Sequence, residues 1–420
     1  MGLKRVLTVP LIYTGPAGSS TPRRAPNLRK TCAAFGNLAR IKREVCHTMR
    51  SIMHVDRLHL LLPFTLPAAA DASTALSGSS HPAHPAIDRL VARASEVERV
   101  IGEDFQRTLP HERWVAQQFG AVPGNATAAD EAPLAPYMLR ADGGDPGNAT
   151  WACVQPVHVR IAHDHLVLID PASLDLTDDE AAALLAVARP LIEELGVRIE
   201  APNPLRWYLS GDGFGTLAGA SPLRASGRNI EIWLPHEAHT GARSRAWMKL
   251  QNEVQMAWFE HPVNEAREAR GLPAVNSIWF HAQGMAQPVT SPFAQVLSNA
   301  AATRGLALTA HVAVDAAPVS LEALKAGAQH GADAAPGATL VELDPLSAPY
   351  IEQDWARWND GFAALERDWF APALAALESG QLHELGMTLC GDTGSVTLAV
   401  RRGDLRKFWR RRMFASLFIE

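Results

Sequence analysis

The chain has 420 residues, of which 47% are hydrophobic and 20% are charged, and its formal net charge is −5. These values are typical of a globular protein and exclude a chain that is disordered over its whole length. The longest apolar runs are shorter than a membrane-spanning helix requires, so we predict no transmembrane segment. The length suits one large α/β domain or two smaller ones.

The cysteines give no sign of a disulfide framework or a zinc ribbon. They are widely separated and form no CxxC pair: Cys32, Cys46, Cys153 and Cys390. Such spacing fits a reducing compartment. We therefore predict a cytoplasmic protein, and we expect it to hold neither a metal nor another cofactor.

The first 52 residues differ in charge from the rest of the chain. They contain ten Lys or Arg and one acid, Glu44, so they carry +9, and the remainder carries −14. One interpretation is a tail that binds nucleic acid or a membrane surface. The alternative, which we favour, is that translation begins at Met49 or Met53 and the segment is upstream or disordered sequence. We predict a basic extension over residues 1–52 and a single domain over residues 53–420.

Hydrophobic periodicity predicts alternating strands and helices in the first half of this domain. Strands are predicted over residues 54–64, 151–161, 166–169, 197–200, 206–209 and 229–234. Helices are predicted over residues 87–101, 103–118 and 178–195. The last of these helices has a capping box, in which Thr177 precedes the helix and Glu180 follows three residues later.

The stretch 244–284 is the most informative part of the sequence. Apolar residues recur at helical spacing from Trp247 to Trp258, and Pro262 ends that helix and begins another, which Gly271 closes. A strand over residues 275–280 then runs into His281-Ala-Gln-Gly. Because open α/β sheets bind ligands beyond the carboxyl ends of their strands, we expect a polar crevice there.

The second half continues the alternation. Helices are predicted over residues 292–304, 321–327 and 372–380, and strands over residues 306–314, 339–343, 385–389 and 396–400. This order predicts a mostly parallel sheet covered by helices. Between the strand predicted over residues 339–343 and the helix predicted over residues 372–380 lies a row of apolar, mostly aromatic side chains at helical spacing, called here the aromatic seam. We expect it to be part of the core: Trp355, Trp358, Phe362, Leu365 and Trp369. The basic segment 401–412 is either a phosphate- or nucleic-acid-binding tail or, as we favour, a solvated end.

Three motifs within residues 244–284 resemble those of a known protein family. They are N-E-x-Q-M from Asn252, E-H-P-V-N-x-x-R-x-x-x-G from Glu260, and P-x-V-N-S-I-W from Pro273. Over residues 53 to about 418 the chain resembles the bacterial RpfE-type regulatory proteins, often labelled cofactor-independent phosphoglycerate mutases. A more distant resemblance is to the archaeal-type mutases. It implies an alkaline-phosphatase-like α/β fold, with a mostly parallel sheet covered by helices on both faces.

The chemistry implied by that superfamily needs two divalent metals that activate a Ser or Thr nucleophile. The resemblance implies an early Asp, an Asp with a His four residues later, and a late Asp-His pair. Near the first strand the sequence offers Asp71 and Ser73, Asp344 lacks the later histidine, and Thr393 follows Asp392. A hydroxyl does not replace an imidazole ligand, so we predict no metal site and no catalytic residue.

Our first functional hypothesis is a non-catalytic or regulatory protein that binds a small anionic or phosphorylated ligand. Arg267 can pair with a phosphate or a carboxylate in a bidentate way, and asparagines can orient it. The predicted ligand site is Asn252, His261, Asn264, Arg267 and Asn276. The equally weighted alternative is that these side chains only satisfy backbone groups at turns.

Two other hypotheses remain open. The second is a metal-dependent phosphoglycerate mutase or phosphate-ester hydrolase, with Asp344, Asp392 and His383 as candidate ligands. The third, which we consider weakest, is nucleic-acid binding through the basic ends, since the body of the chain is acidic. No membrane partner is expected, and the sequence predicts no oligomeric state.

Overall fold

A computed structural model describes residues 56–68, 84–103, 105–122, 131–211, 217–237, 241–328 and 337–418. The basic extension over residues 1–52 and the candidates Asp71 and Ser73 lie outside these ranges. The strands are β1 Arg57–Leu66, β2 Ser95–Ile101, β3 Thr150–Val157, β4 Val159–Ala162, β5 His165–Leu168, β6 Arg198–Asn203, β7 Arg206–Ser210, β8 Ser277–Met285, β9 Phe293–Leu297, β10 Ala313–Asp315, β11 Ala338–Glu342, β12 Glu384–Gly391 and β13 Gly394–Arg401.

The α-helices lie among these strands along the chain. They are α1 Pro85–Arg93, α2 Pro110–Gln118, α3 Ala135–Ala141, α4 Asp178–Glu193, α5 Pro222–Ala225, α6 Ala242–Phe259, α7 Pro262–Ala269, α8 Ala301–Thr309, α9 Leu321–Ala328, α10 Ser347–Ile351, α11 Trp355–Leu365 and α12 Ala371–Ser379. A π-helical turn, Glu366–Phe370, joins α11 to α12.

The larger sheet has seven strands in the order β10-β9-β11-β1-β12-β13-β2. The five strands from β10 to β12 are parallel, and β13 and β2 are antiparallel additions at one edge. Along the central strand β1, Leu58, Leu60 and Leu62 pack with α1, α11 and α12, whereas Leu61 packs with α2, α3 and α8. The predicted α/β class, with a mostly parallel sheet covered on both faces, is therefore confirmed.

A second sheet of four antiparallel strands, β6-β7-β3-β8, was not predicted. Helices α4 and α6 cover one face through a core that includes Leu184, Trp247 and Trp258. The other face meets α3 through Trp151 and Tyr208. The strand at residues 275–280 belongs to this sheet, so the parallel-sheet reason for a crevice after it was wrong.

The predicted helix over residues 87–101 is wrong in its second half. Helix α1 ends at Arg93, and Ser95–Ile101 forms the edge strand β2, which pairs with β13. The four-residue spacing of Val97 and Ile101 suggested a buried helical face, but these side chains are 64% and 71% exposed. Pairing with β13 decides the conformation here, which a local pattern does not reveal.

The predicted helix and strand over residues 292–314 are also wrong. The segment contains strand β9, helix α8 and the short strand β10. Gly305 suggested a helix end, yet it lies inside α8. A Cβ at this position would be 1.7 Å from the carbonyl oxygen of Tyr137. The glycine therefore serves the close packing of α8 on α3.

Two shorter predictions also differ from the structure. The helix predicted over residues 103–118 begins only at Pro110, the first-turn proline of α2. The strand predicted over residues 229–234 is a 3₁₀ turn, Glu231–Trp233. The capping box of α4 is confirmed, because Thr177 Oγ1 accepts from the backbone N–H of Glu180 and the Glu180 carboxylate accepts in return.

The aromatic seam is confirmed as core. Trp358, Phe362 and Trp369 are each no more than 2% exposed. The Trp358 indole donates to the carbonyl oxygen of Phe64 at 3.0 Å, and its ring stacks on Phe362. The seam therefore fixes α11 against the end of the central strand β1.

Candidate ligand cavity

A cavity of about 840 Å³ lies beside the carboxyl ends of β9 and β11. One wall comes from these strand ends and from the first turns of α2 and α8. The opposite wall comes from β3 and β8 of the smaller sheet. Its polar or ionisable lining residues are Arg107, Thr108, His111, Glu112, Glu131, Gln155, Asp170, Asp175, Arg206, Ser221, His281, Asn299, Thr303, Glu342 and Asp344.

Two acidic side chains mark the end of β11. Burial raises the pKa of Glu342, whose carboxylate accepts a 2.6 Å hydrogen bond from Ser298 Oγ. Desolvation likewise raises the pKa of Asp344, which accepts from the Ser347 backbone N–H at 3.2 Å. Neither carboxylate has an ion-pair partner among the described residues. Glu342 is buried and is therefore costly to hold charged without a partner, whereas Asp344 is exposed to solvent.

A third carboxyl group lies where α2 meets the smaller sheet. Burial raises the pKa of Glu131 to about 7, and the Gln283 amide donates a hydrogen bond to it. Arg107 Nε is 3.9 Å away. The rest of the Arg107 guanidinium donates to three backbone carbonyls at 3.0 to 3.3 Å. The arginine thus braces this wall and only partly neutralises Glu131.

Two buried histidines line the cavity as neutral imidazoles. Burial lowers the pKa of both His111 and His281 to about 3. His281 pairs with Gln155 at 3.1 Å between Nε2 and Oε1. His111 is 6% exposed, and its Nδ1 has no hydrogen-bond partner among the described residues. This nitrogen has almost no accessible surface, so it is an unsatisfied buried polar atom and not a group that faces the cavity.

The crevice expected after residues 275–280 is therefore partly right. His281 and Ala282 line the cavity, and Gln283 contacts Glu131. Strand β8 continues through them to Met285, paired with the antiparallel strand β3. They reach the cavity because this sheet faces the end of the larger one.

The five residues of the predicted ligand site do not line this cavity. Asn264 donates to the carbonyl oxygens of Trp258 and Val275 and accepts from the Val275 N–H, all at 2.8 Å. Asn276 bridges the N–H and C=O of Val159 in the same way. Both amides are occupied by backbone groups. Asn264 thus joins the residues just before β8 to the end of α6, and Asn276 joins them to the start of β4.

The other members of that set also have local roles or lie on the surface. His261 caps α7 by accepting from the Val263 N–H at 3.2 Å. Asn252 is exposed on α6. Arg267 is fully buried and donates to the carbonyl oxygens of Pro273 and Leu174. None of the five lines the cavity described above, and their role in binding a ligand stays a prediction.

The guanidinium of Arg267 also pairs with Glu180 at 2.8 Å. That carboxylate is shared with the exposed Arg270 and with the N-terminus of α4. Because every nitrogen of the Arg267 guanidinium already has a partner, binding an anion there would require breaking these contacts. This arginine therefore joins α7, α4 and the loop before β8.

The donors at the carboxyl end of β12 do not suit a metal ion. Asp392 Oδ1 accepts from Arg224 at 3.0 Å and from Arg228 at 2.7 Å. Two guanidinium groups at the same oxygen would repel a divalent cation. His383, the other proposed ligand, precedes β12, so an eight-residue strand of roughly 26 Å separates it from Asp392. These two residues are therefore not ligands of one ion.

The remaining acidic groups also fail to converge. Within the described ranges, no set of three or more His, Cys, Asp or Glu side chains is arranged to hold a metal ion. The ligand set that a binuclear site needs is thus not formed by the described residues. No helix in these ranges is long and apolar enough to cross a membrane.

Sequence comparisons find no relative, since no family model and no curated protein matches the chain. Two solved structures are similar to it. The PH0037 protein of Pyrococcus horikoshii has a TM-score of 0.44 and 11% identity, covering 82% of this chain and 87% of that one. A cofactor-independent phosphoglycerate mutase of Thermoplasma acidophilum has a TM-score of 0.38 and 14% identity, covering 86% and 94%. Both similarities are distant, and at TM-scores below 0.5 they say nothing about activity.

Proposed function

We propose that this chain is a non-catalytic or regulatory protein of the RpfE type that binds a small molecule in the cavity between its two sheets. The cavity is the observation that supports the proposal. Its volume of about 840 Å³ lies within the range of roughly 300–1,000 Å³ found for small-molecule sites. It also lies at the strand ends where α/β sheets bind ligands.

The character of the lining supports binding. The lining combines apolar side chains, such as Val115, Leu134 and Leu223, with hydrogen-bonding groups. Such a lining surrounds a ligand and fixes its orientation at a few polar points. The alternative, a metal-dependent mutase or hydrolase, lacks support from the described donors, because Asp392 is held by two arginines.

A cavity-filling variant tests the proposal. Ala300 lines the cavity and is exposed to it, so Ala300→Trp would occupy ligand space at little cost in packing. The control is Ala375→Trp, at an exposed position of α12 outside the cavity. Thermal-shift screening of the full chain against sugar phosphates, amino acids, amines and nucleotides supplies ligands, which calorimetry then confirms.

We expect Ala300→Trp to abolish binding of the confirmed ligands and Ala375→Trp to leave it unchanged. Equal binding by both variants would contradict the cavity as the site. The non-catalytic part of the proposal is tested separately with phosphoglycerate and a phosphate monoester in the presence of Mn²⁺. Metal-dependent turnover that is lost in Asp392→Ala would contradict it.

A further inference from the structure

Helix α6 buries one face and exposes another that is also partly apolar. The buried face packs against α4 and the smaller sheet. On the outward side, Met248, Met256 and Phe259 are 50%, 71% and 80% exposed. A single exposed apolar residue is ordinary on a protein surface. Three of them on the outward side of one helix form a surface that favours contact with another molecule.

Two of these side chains belong to a row of outward positions that are spaced four, three, four and three residues apart. The row, called here the α6 seam, consists of Arg245, Lys249, Asn252, Met256 and Phe259, and all five are exposed. Alternating steps of three and four residues keep side chains on one side of a helix, and two helices pack against each other along such a row. The α6 seam therefore has the spacing that suits a second helix.

The charges of α6 run against its own dipole. Residues 242–252 contain Arg243, Arg245 and Lys249 and no acid, whereas residues 253–260 contain Glu253 and Glu260 and no Lys or Arg. A helix dipole favours acids near the N-terminus and cations near the C-terminus, which is the reverse order. The 3.4 Å pair between Lys249 and Glu253 is exposed, so it offsets little of this cost.

A second copy of α6, turned end for end, complements both the charges and the apolar side chains. An antiparallel pair centred on Asn252 places Arg245 opposite Phe259 and next to Glu260 of the other copy. The guanidinium then meets an aromatic ring and a carboxylate, and the exposed methionines of the two copies lie opposite each other. A parallel pair would instead bring the basic ends of both helices together.

We propose that the outward face of α6 binds a second copy of this chain, through an antiparallel helix pair on a two-fold axis at Asn252. An isologous contact of this kind is the commonest route to a homodimer. The α6 seam does not line the cavity, so the inference is independent of the function proposed above. One helix pair covers less than the roughly 800 Å² per partner of a standard interface. We therefore expect a dimer that dissociates on dilution.

The first test is analytical ultracentrifugation of the full chain over a wide range of concentrations. The variants are Arg245→Glu, Glu260→Arg and the double variant that carries both changes. Each single change places like charges opposite each other in the antiparallel pair, and the double variant restores opposite charges. Both single changes suit the dipole of α6, so neither should destabilise the folded monomer, which urea unfolding verifies.

The second test is disulfide crosslinking of Asn252→Cys under mild oxidation. Two copies of this cysteine meet at the proposed axis. Ala257→Cys is the matched control, because Ala257 is exposed on the same helix but lies roughly 140° around its axis from Asn252. The unsubstituted chain, oxidised in the same way, accounts for any crosslink through Cys32 or Cys46.

We expect the association constant to fall at least tenfold in each single charge variant and to recover in the double variant, and we expect only Asn252→Cys to gain a crosslink. A chain that is monomeric at every concentration would overturn the inference. So would a dimer that withstands Arg245→Glu and gives no crosslink in Asn252→Cys, because it would use another surface. A monomer that sediments with phosphatidylglycerol vesicles, and no longer does so in Phe259→Ser, would make this face a lipid-binding one and would also overturn it.

Discussion

Replacement of Arg267 by alanine distinguishes a structural arginine from a ligand-binding one. The side chain is fully buried and donates to Pro273 O at 2.9 Å, to Leu174 O at 2.5 Å and to Glu180 at 2.8 Å. Arg267→Ala removes all three hydrogen bonds and leaves two carbonyl oxygens without this donor. It also removes one of the two arginines that hold the Glu180 carboxylate.

The expected cost is about 3–5 kcal/mol, the range for breaking a buried ion pair by removing one partner. Unsatisfied buried carbonyls contribute part of this, at roughly 1–3 kcal/mol for each group. Glu180 limits the loss, since it keeps the N–H of Thr177 and the guanidinium of Arg270 as partners. Urea unfolding of the full chain, followed by tryptophan fluorescence, measures the change.

Arg270→Ala is the matched control. It lies next to the same helix and pairs with the same carboxylate, but its side chain is 51% exposed. An exposed ion pair contributes about 0–1 kcal/mol, so this variant should be nearly as stable as the wild type. A similarly small effect of Arg267→Ala would refute the structural role. Loss of small-molecule binding in a folded Arg267→Ala protein would support the predicted ligand role instead.

Three further predictions follow from burial, packing and protonation. Trp358→Ala should lower the free energy of unfolding in urea by about 3–5 kcal/mol. Its control, Trp409→Ala, changes a side chain that is 65% exposed and should have almost no effect. Equal effects of the two variants would contradict the assignment of the aromatic seam to the core. Gly305→Ala should lower the melting temperature, because the added Cβ would overlap the carbonyl oxygen of Tyr137. Gly327→Ala is the control, since Gly327 has open space around it in α9, and it should not lower the melting temperature. An unchanged melting temperature in Gly305→Ala would contradict the close contact between α8 and α3. Burial raises the pKa of Glu131 from its ordinary value of 4.5 to about 7. The folded protein therefore holds this proton over a pH range in which the unfolded chain has lost it, and the free energy of unfolding should fall by up to about 3 kcal/mol as the pH rises from about 4.5 to about 7. Glu131→Gln should flatten that slope in urea titrations at about pH 5 and about pH 8, and an unchanged slope would count against a raised pKa.

Long periodic segments were predictable from the sequence. Helix α6 and the aromatic seam each repeat an apolar spacing over several turns, and each lies where it was expected. The capping box correctly marked the start of α4. Tertiary pairing overrode the local pattern in shorter segments. Strand β2 exists because β13 pairs with it, and Gly305 lies inside a helix because another helix approaches it.

The site was harder to predict than the fold. Motif spacing around Asn264 and Arg267 drew attention to polar side chains that fasten the turn between α7 and β8. The cavity groups come from residues far apart in sequence, such as His111, Glu131 and Glu342. The available signal was the carboxyl end of each parallel strand, as at Glu342, the last residue of β11. At β9 this signal was missed, because residues 292–304 were predicted to be a helix and the end of the strand at Leu297 was not recognised.

The central claim is that the described ends of the parallel strands form a cavity for an organic ligand and not a pair of metal ions. The most direct test is to dialyse the full chain against Mn²⁺, Zn²⁺ and Mg²⁺ in turn and to measure bound metal per chain by elemental mass spectrometry. We predict no stoichiometric metal with any of the three ions, because two arginines hold Asp392 and the other acids do not converge. Two ions per chain would contradict the account and would make phosphoryl transfer the function to test.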